Sequence, residues 1–412
     1  MFSMANASVD EEQKNKLSRR TIHLVTGATG FIGRHLVPRL HDAGDEVWVL
    51  LRGRKEHTVT ERVREVFPAL ASSGSFRAVT GDITKEQLGL SQEILAHLSG
   101  RRVCVWHLAA DLSFSPLERE SVFRTNTEAT GHVVTFANRF AQRYIHMSTA
   151  YVCGSHRGKF PESDPDVGQY FHNSYEESKY RGERIVRETC FIPHLILRPS
   201  IVIGDAYEGK AEGCTFGYYR FAFMLHVFKS WMAENLKKKS LPGRILSALG
   251  TRLLPGGTVH APWLIIPYPK GGVVDMVPID YVVNTMLALY ADSRSFDLKT
   301  FHLTQDAPVA SIEVLRTCME DLGIGRITYV EVPRFLFRVI LSFFYALLFP
   351  LRPYTKSVYW YVPYVTQSYQ FDHAHAHFLG LPPAPVITRE YLRRVNTYAK
   401  EHIFPRIRIP GL

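Results

Sequence analysis

Short apolar runs alternate with segments of helical periodicity through the first two hundred residues of this 412-residue chain. The pattern predicts strands at residues 21–25, 46–51, 76–80, 103–107, 143–147 and 194–198. It predicts helices at 31–43, at 121–140 and in the segment that follows Tyr175. The strand segments are nearly continuous in apolar residues rather than alternating, which marks strands buried on both faces. Such strands separated by amphipathic helices imply an α/β protein, a doubly wound parallel sheet of Rossmann type. After about Asp205 the alternation stops, and a smaller, mostly helical C-terminal region is expected there.

Two stretches of that region stand apart. Residues 206–270 are rich in aromatic residues, Gly and Pro and include the basic triplet Lys237, Lys238 and Lys239. Residues 333–365 concentrate aromatic and aliphatic side chains, but their uninterrupted apolar part, 339–349, is too short for a membrane span of about 20 residues. Two readings stay open for it: a buried or cavity-lining helix, and a helix lying at a membrane interface with Arg, Tyr and Trp anchors. The aromatic run 216–232 has the same two readings, besides plain core packing.

With 46% hydrophobic and 21% charged residues the chain is globular rather than disordered. The five cysteines, Cys104, Cys153, Cys190, Cys214 and Cys318, are scattered without CxxC spacing. That argues against a disulfide framework or structural zinc and points to a reducing, intracellular and cytoplasmic setting. Residues 1–20 are polar, without the apolar stretch of a secretory signal, and are expected to form a flexible tail. A net charge of +10 suits anionic partners: a nucleotide cofactor, a coenzyme A or carrier-protein thioester, or an anionic membrane surface. No helix-turn-helix, zinc or RNA-binding signature supports nucleic acid.

The segment VTGATGFIG, Val25 to Gly33, places Gly27, Gly30 and Gly33 between an apolar strand and an apolar-periodic helix. That context is what a dinucleotide-binding turn requires: a tight turn, close backbone approach to a pyrophosphate, and close packing of helix on strand. Thr26, Thr29, Phe31 and Ile32 share the loop, whose helix N-terminus offers N–H groups to phosphate. The second strand ends in Arg52, with Arg54 and Lys55 beyond it and Arg34 just after the third glycine. An NAD site ends this strand with an acid for the ribose hydroxyls, whereas cations fit a 2′-phosphate, so NADP(H) is expected. Asp82, with Ile83 next to it, is placed to meet the adenine. Residues 21–205 are thus the expected NADP-binding domain and 206–412 the substrate-binding region, with 271–310 returning to the core.

About 150 residues after the glycine loop stand Tyr175 and Lys179. Four residues apart they share one face of a helix, where the lysine charge is expected to lower the phenol pKa. Thr149, in the STAYVCG turn, is the favoured hydroxyl for holding a substrate oxygen, with Ser148 as the fallback. Together these groups would polarise a carbonyl for hydride attack and protonate the oxyanion.

At this point the chain resembles the extended short-chain dehydrogenase/reductase superfamily. The resemblance rests on the three glycines, on His107-Leu108-Ala109-Ala110, on Thr149, on Tyr175 with Lys179, and on Arg198-Pro199-Ser200, and it covers roughly residues 20–310. It implies nicotinamide contacts from the segment that includes Pro199, Ser200 and Ile201, cofactor contacts from Ala109 and Ala110, and a water-organising role for Asn126. Capping or core packing would equally explain Asn126. Ala150 and Tyr151 stand where sugar-nucleotide dehydratases carry an acidic pair, and Glu176 where epimerases typically have Gly. HLAADLSFS, STAYVCG and VVDMVPIDYVVNTM instead resemble the thioester-reductase and fatty acyl-CoA reductase branch. What this implies is NADPH-dependent reduction of a lipid acyl thioester, on coenzyme A or a carrier protein, to aldehyde or alcohol. A hydroxysteroid or other lipid-alcohol dehydrogenase of the same superfamily is the enzymatic alternative; a catalytically idle NADP-binding scaffold is the other. His373, His375 and His377 alternate along FDHAHAH, but Asp372 reads as a helix cap before them, and no metal site is expected.

Overall fold

All six apolar runs form strands, and a seventh joins them. The computed structural model describes residues 20–53, 58–347 and 360–407. The expected tail up to residue 19, Arg54 and Lys55, and residues 348–359 of the aromatic stretch lie outside the described residues. The strands are β1 (Ile22–Thr26), β2 (Glu46–Leu51), β3 (Phe76–Thr80), β4 (Val103–His107), β5 (Arg143–Met147), β6 (His194–Pro199) and β7 (Thr300–Leu303). All pair in parallel, in the order β7-β6-β5-β4-β1-β2-β3.

The strands read as continuously apolar because both faces are covered. Val47, Val49, Cys104 and Trp106 belong to one core cluster, while the intervening Trp48, Leu50, Val103 and Val105 belong to another. Helix α1 (Phe31–Asp42) packs Leu36, Val37 and Leu40 into the first cluster. Helix α2 (Ala129–Phe140) packs Val133, Val134 and Phe136 into the second, as α3 (Ser174–Thr189) does Val186. The chain runs outward from β1 through β2 to β3, then crosses to β4 on the other side of β1. The crevice at the carboxyl ends of β1 and β4 is therefore the topological switch point where such sheets bind ligands.

The single helix expected over 121–140 is interrupted. A short helix, Arg119–Phe123, runs into a wide π turn, Arg124–Glu128, before α2 begins. The wide turn fits a tight crossing with α3, where a Cβ on Gly182 would lie 2.5 Å from the carbonyl oxygen of Asn126.

Beyond Asp205 the chain forms α4 (Tyr218–Lys238) and α5 (Leu241–Ala248), then returns to the core. Strand Met276–Pro278 pairs with Ile201–Ile203, α6 (Ile279–Ala291) packs on α1, and β7 adds to the sheet beside β6. The later chain supplies α7 (Arg334–Leu347) and α8 (Val362–Thr366). Among the described residues no helix is long and apolar enough to cross a membrane.

The C-terminal histidines dock on the sheet edge. His373 Nε2 lies 2.7 Å from Thr304 Oγ1, and His375 Nδ1 lies 2.7 Å from the Thr300 carbonyl oxygen. His373, not Asp372, occupies the cap position of helix Ala374–Phe378; the Asp372 carboxyl pairs with Lys159 Nζ at 2.7 Å.

Candidate active site

The glycine loop, the Thr-Tyr-Lys group and the segment after β6 line one cavity of about 470 Å³ at the switch point. Gly27 has φ +71°, and a Cβ there would lie 2.5 Å from the Ala109 nitrogen. A side chain would drive apart the loops that follow β1 and β4. Gly33 is fixed by packing, since its Cβ would lie 2.6 Å from the Gly27 carbonyl oxygen. His107 braces the same junction: its Nδ1 is 2.8 Å from Thr26 Oγ1, which accepts a hydrogen bond from Ala109 N at 3.3 Å. Burial, with the Lys179 charge adding to it, holds the His107 pKa down to about 3, so the ring is a neutral spacer.

Helix α1 starts at this loop with no side-chain cap and no acidic residue in its first turn. Its free N–H groups and dipole suit a phosphate. The residues thus fit a dinucleotide. Thr26, Thr29, Gly30, Phe31 and Ile32 line the cavity, as do Arg52, Asp82, Ile83, Ala109, Ala110, Pro199, Ser200 and Ile201.

The cationic end differs from the reading in one respect. Arg34 does not line the cavity; its Nε donates to the Thr29 carbonyl at 2.9 Å, and its side chain packs on Gly213. Arg62 takes that place. From the helix after β2 it reaches the cavity wall, donating to the Arg52 carbonyl at 2.8 Å and approaching Thr29 Oγ1 at 3.4 Å. Its signal lay in T-V-T-E-R, where Thr58 and Glu61 form a capping box that sets the helix phase. Partial burial raises the Asp82 carboxyl, but bonds from Thr84 and the Arg52 charge outweigh this and hold it below the ordinary range.

Asn126 does not line the cavity either. Its Oδ1 accepts from Asp111 N at 2.8 Å, and its Nδ2 donates to the Asp111 carbonyl at 2.9 Å and to Ser178 Oγ at 3.0 Å. It joins the loop after β4 to α3 from behind the wall.

At the other end, Asn173 caps α3, its side chain accepting from Glu176 N at 3.0 Å, and this phases Tyr175 and Lys179 toward the cavity. Ser148 and Thr149 follow β5. The Ser148 hydroxyl is committed to Glu183 Oε2 at 3.0 Å, which leaves Thr149 as the hydroxyl beside Tyr175. Glu183 is fully buried against Arg198 with contacts of 2.5 and 3.0 Å, so α3 is bolted to β6 one turn beyond Lys179.

The expected lowering of the Tyr175 pKa by Lys179 does not dominate. Burial pushes the phenol well above its ordinary value, with only the Thr149 hydroxyl working in the other direction. Lys179 is itself desolvated, which brings it to about 8 against the pull of Glu183, and its Nζ donates to the Met147 carbonyl at 2.5 Å. Tyr175 is therefore held as a neutral phenol, the proton-donating form.

The wall around Tyr175 is aromatic. Phe114 lies 5.6 Å from the Tyr175 ring, 5.3 Å from Tyr361 and 5.8 Å from Tyr364, and Tyr151 meets Tyr364 edge-on at 4.6 Å. Tyr361 and Tyr364 come from the aromatic stretch 333–365, so that part of it lines the cavity. Among the described residues no group of His, Cys, Asp and Glu is arranged to hold a metal ion.

Residues 25–286 match the family model described as male sterility protein. A putative fatty acyl-CoA reductase of Drosophila melanogaster is 24% identical over 310 residues, which cover 66% of this chain and 52% of that protein. The human fatty acyl-CoA reductase 2 is 25% identical, over 68% of this chain and 57% of its own. The chain thus spans about half the length of these curated relatives. In fold it is similar to the terminal R domain from the myxalamid PKS-NRPS biosynthetic pathway, with a TM-score of 0.67 and 22% identity over 92% of this chain and 90% of that one.

Proposed function

The chain belongs to the male sterility protein family, in the fatty acyl-CoA reductase and thioester-reductase branch of the short-chain dehydrogenases/reductases, and from that membership we propose that it reduces a lipid acyl thioester with NADPH. The observation that carries this reading is one cavity in which a neutral Tyr175, Lys179 and Thr149 meet the glycine loop on one side and an aromatic wall on the other. An apolar wall suits an acyl chain, and cations at Arg52 and Arg62 support NADPH over NADH.

A nicotinamide cofactor held by the glycine loop and the segment after β6 would supply the hydride for the thioester carbonyl carbon. Thr149 holds the carbonyl oxygen, and Tyr175 donates its proton as negative charge develops there. The resulting hemithioacetal collapses when Tyr175 takes that proton back, the C–S bond breaks, and the leaving thiolate is protonated by solvent. Aldehyde and thiol are the products of this turn; a second hydride transfer would give the alcohol. Lys179 keeps positive charge near the tyrosine while its phenolate persists.

The test supplies purified protein with NADPH and palmitoyl-CoA and measures thiol release, with NADP+ and sterols as the parallel assay. Thiol release supports thioester reduction, whereas sterol oxidation without it would move the chain to the lipid-alcohol dehydrogenases. Tyr175→Phe should abolish turnover and leave NADPH binding intact. Unchanged turnover would sink the mechanism.

A further inference from the structure

Helices α4 and α5 form a tight hairpin away from the catalytic cavity. A Cβ on Gly243 would lie 2.0 Å from the Asn235 carbonyl oxygen, so the two backbones touch. The inner side is apolar and buried: Met232 and Leu246 pack with Val259, Met319 and Ile324. The outer side is apolar too, and it is exposed. Leu241, Ile245 and Leu249, at i, i+4 and i+8, are 74%, 54% and 49% exposed. A helix that buries one stripe needs no second one for folding, and large apolar residues aligned on an outer face mark a contact surface.

Cations border this stripe. Lys237, Lys238 and Lys239 end α4 and are exposed, as are Arg244 within α5 and Arg252 just past it. Residues 229–254 contain six basic residues and one acid, Glu234, which pairs with Lys238.

The same lobe has a second such face. On α7, Phe335, Leu336 and Val339 are exposed while Phe337 packs inward with Val332 and Val362. This helix contacts strand Ile265–Pro269, whose neighbours Trp263 and Leu264 join the cluster around Met232 and Leu246.

We propose that this lobe docks on an anionic lipid surface. The Leu241-Ile245-Leu249 stripe enters the headgroup boundary, and Lys237, Lys239, Arg244 and Arg252 meet the lipid phosphates. A second copy of the chain is a poorer occupant. Lysine is depleted from protein–protein contacts, and a symmetric pairing would set these cations against their own copies. A bilayer offers both an apolar phase and fixed negative charge.

The test is co-sedimentation of the full chain with vesicles of phosphatidylcholine alone and of phosphatidylcholine with phosphatidylserine. Binding should be about tenfold tighter to the anionic vesicles and weaken in high salt. Ile245→Asp with Leu249→Asp, and separately Lys237→Glu with Lys239→Glu, should each weaken it about tenfold. Arg139→Glu, at an exposed position of α2, should leave it unchanged. Circular dichroism and NADPH binding report whether each variant stays folded, and neither readout depends on turnover of any substrate. No vesicle binding by the wild type, or equal binding by the α5 variants, would overturn the proposal. So would a concentration-dependent dimer that Ile245→Asp dissolves, because the face would then belong to a second copy.

Discussion

The buried carboxyl of Glu176, next to Tyr175, accepts the hydroxyl of Tyr364 at 2.5 Å across 188 residues of chain. It also accepts from His172 N at 2.8 Å and lies 3.0 Å from His172 Nδ1, whose ring contacts Gln367 through Nε2 at 2.7 Å. Asn173, the cap of α3, donates to the Tyr364 hydroxyl at 2.8 Å. Among the described residues, the late segment that walls the cavity is thus fastened to the start of α3 by side-chain hydrogen bonds.

Removing the Tyr364 hydroxyl should loosen the wall without touching the cofactor end. Tyr364→Phe keeps the ring against Phe114 and Tyr151 but leaves Glu176 short of a donor. A hydrogen bond to a charged group contributes about 1.5–3 kcal/mol, and we expect destabilisation in that range by urea denaturation. The KM for the thioester should rise while NADPH affinity stays at the wild-type value. Equal losses in both would mean the bond only supports the fold.

Lys179 gives a pH prediction whose sign is distinctive. Burial brings its pKa from 10.5 down to about 8, so the ammonium form is lost as pH rises through 8. The rate of reduction, followed as kcat/KM, should therefore fall by up to about tenfold per unit above that point. Stability moves the other way. Between pH 8 and 10.5 the unfolded chain holds more protons at this site than the folded chain, so this group's contribution to stability rises with pH. An alkaline loss of rate with no loss of folded protein would assign the limb to Lys179, and Lys179→Met should be slower at every pH.

The Glu183–Arg198 pair is wholly buried, and breaking one side strands the other. Glu183→Gln leaves the Arg198 guanidinium without its carboxylate and also weakens the bonds to Ser148 and Arg187. Breaking such a pair costs about 3–5 kcal/mol. Replacing both residues by apolar ones of similar volume should cost less than the sum of the single changes, which a double-mutant cycle in denaturant measures.

Strand positions were legible from sequence because burial on both faces writes continuous apolar runs. β2, β3, β4 and β5 fall on their expected bounds. The site was legible where one local pattern sets one local geometry: the glycines before α1, and Tyr175 one turn before Lys179. What escaped depends on tertiary contact. Arg62 displaced Arg34 because Arg34 turns back onto its own loop and Gly213. Asn126 left the cavity because the π turn aims it at α3. The Tyr175 pKa rises because the phenol is buried, with Phe114, distant in sequence, 5.6 Å from its ring. The aromatic stretch 333–365 held two roles at once: Tyr361 and Tyr364 line the cavity, while Phe335 and Val339 face outward.

The cationic rim separates the two nicotinamide cofactors by experiment. Arg52 and Arg62 are linked through the Arg52 carbonyl, so the first change tests charge and the second also releases the loop. Arg52→Ala should weaken NADPH binding about tenfold and leave NADH unchanged, because only the former carries a 2′-phosphate. Arg62→Ala should weaken both, since Thr29 and the loop after β2 lose their shared anchor. Arg52→Glu should reverse the preference, an acid at this strand end being the group that bonds ribose hydroxyls. Titration of each variant with both cofactors, followed by fluorescence quenching, checks all three. NADH binding as tightly as NADPH to the wild type would assign the rim to another anion.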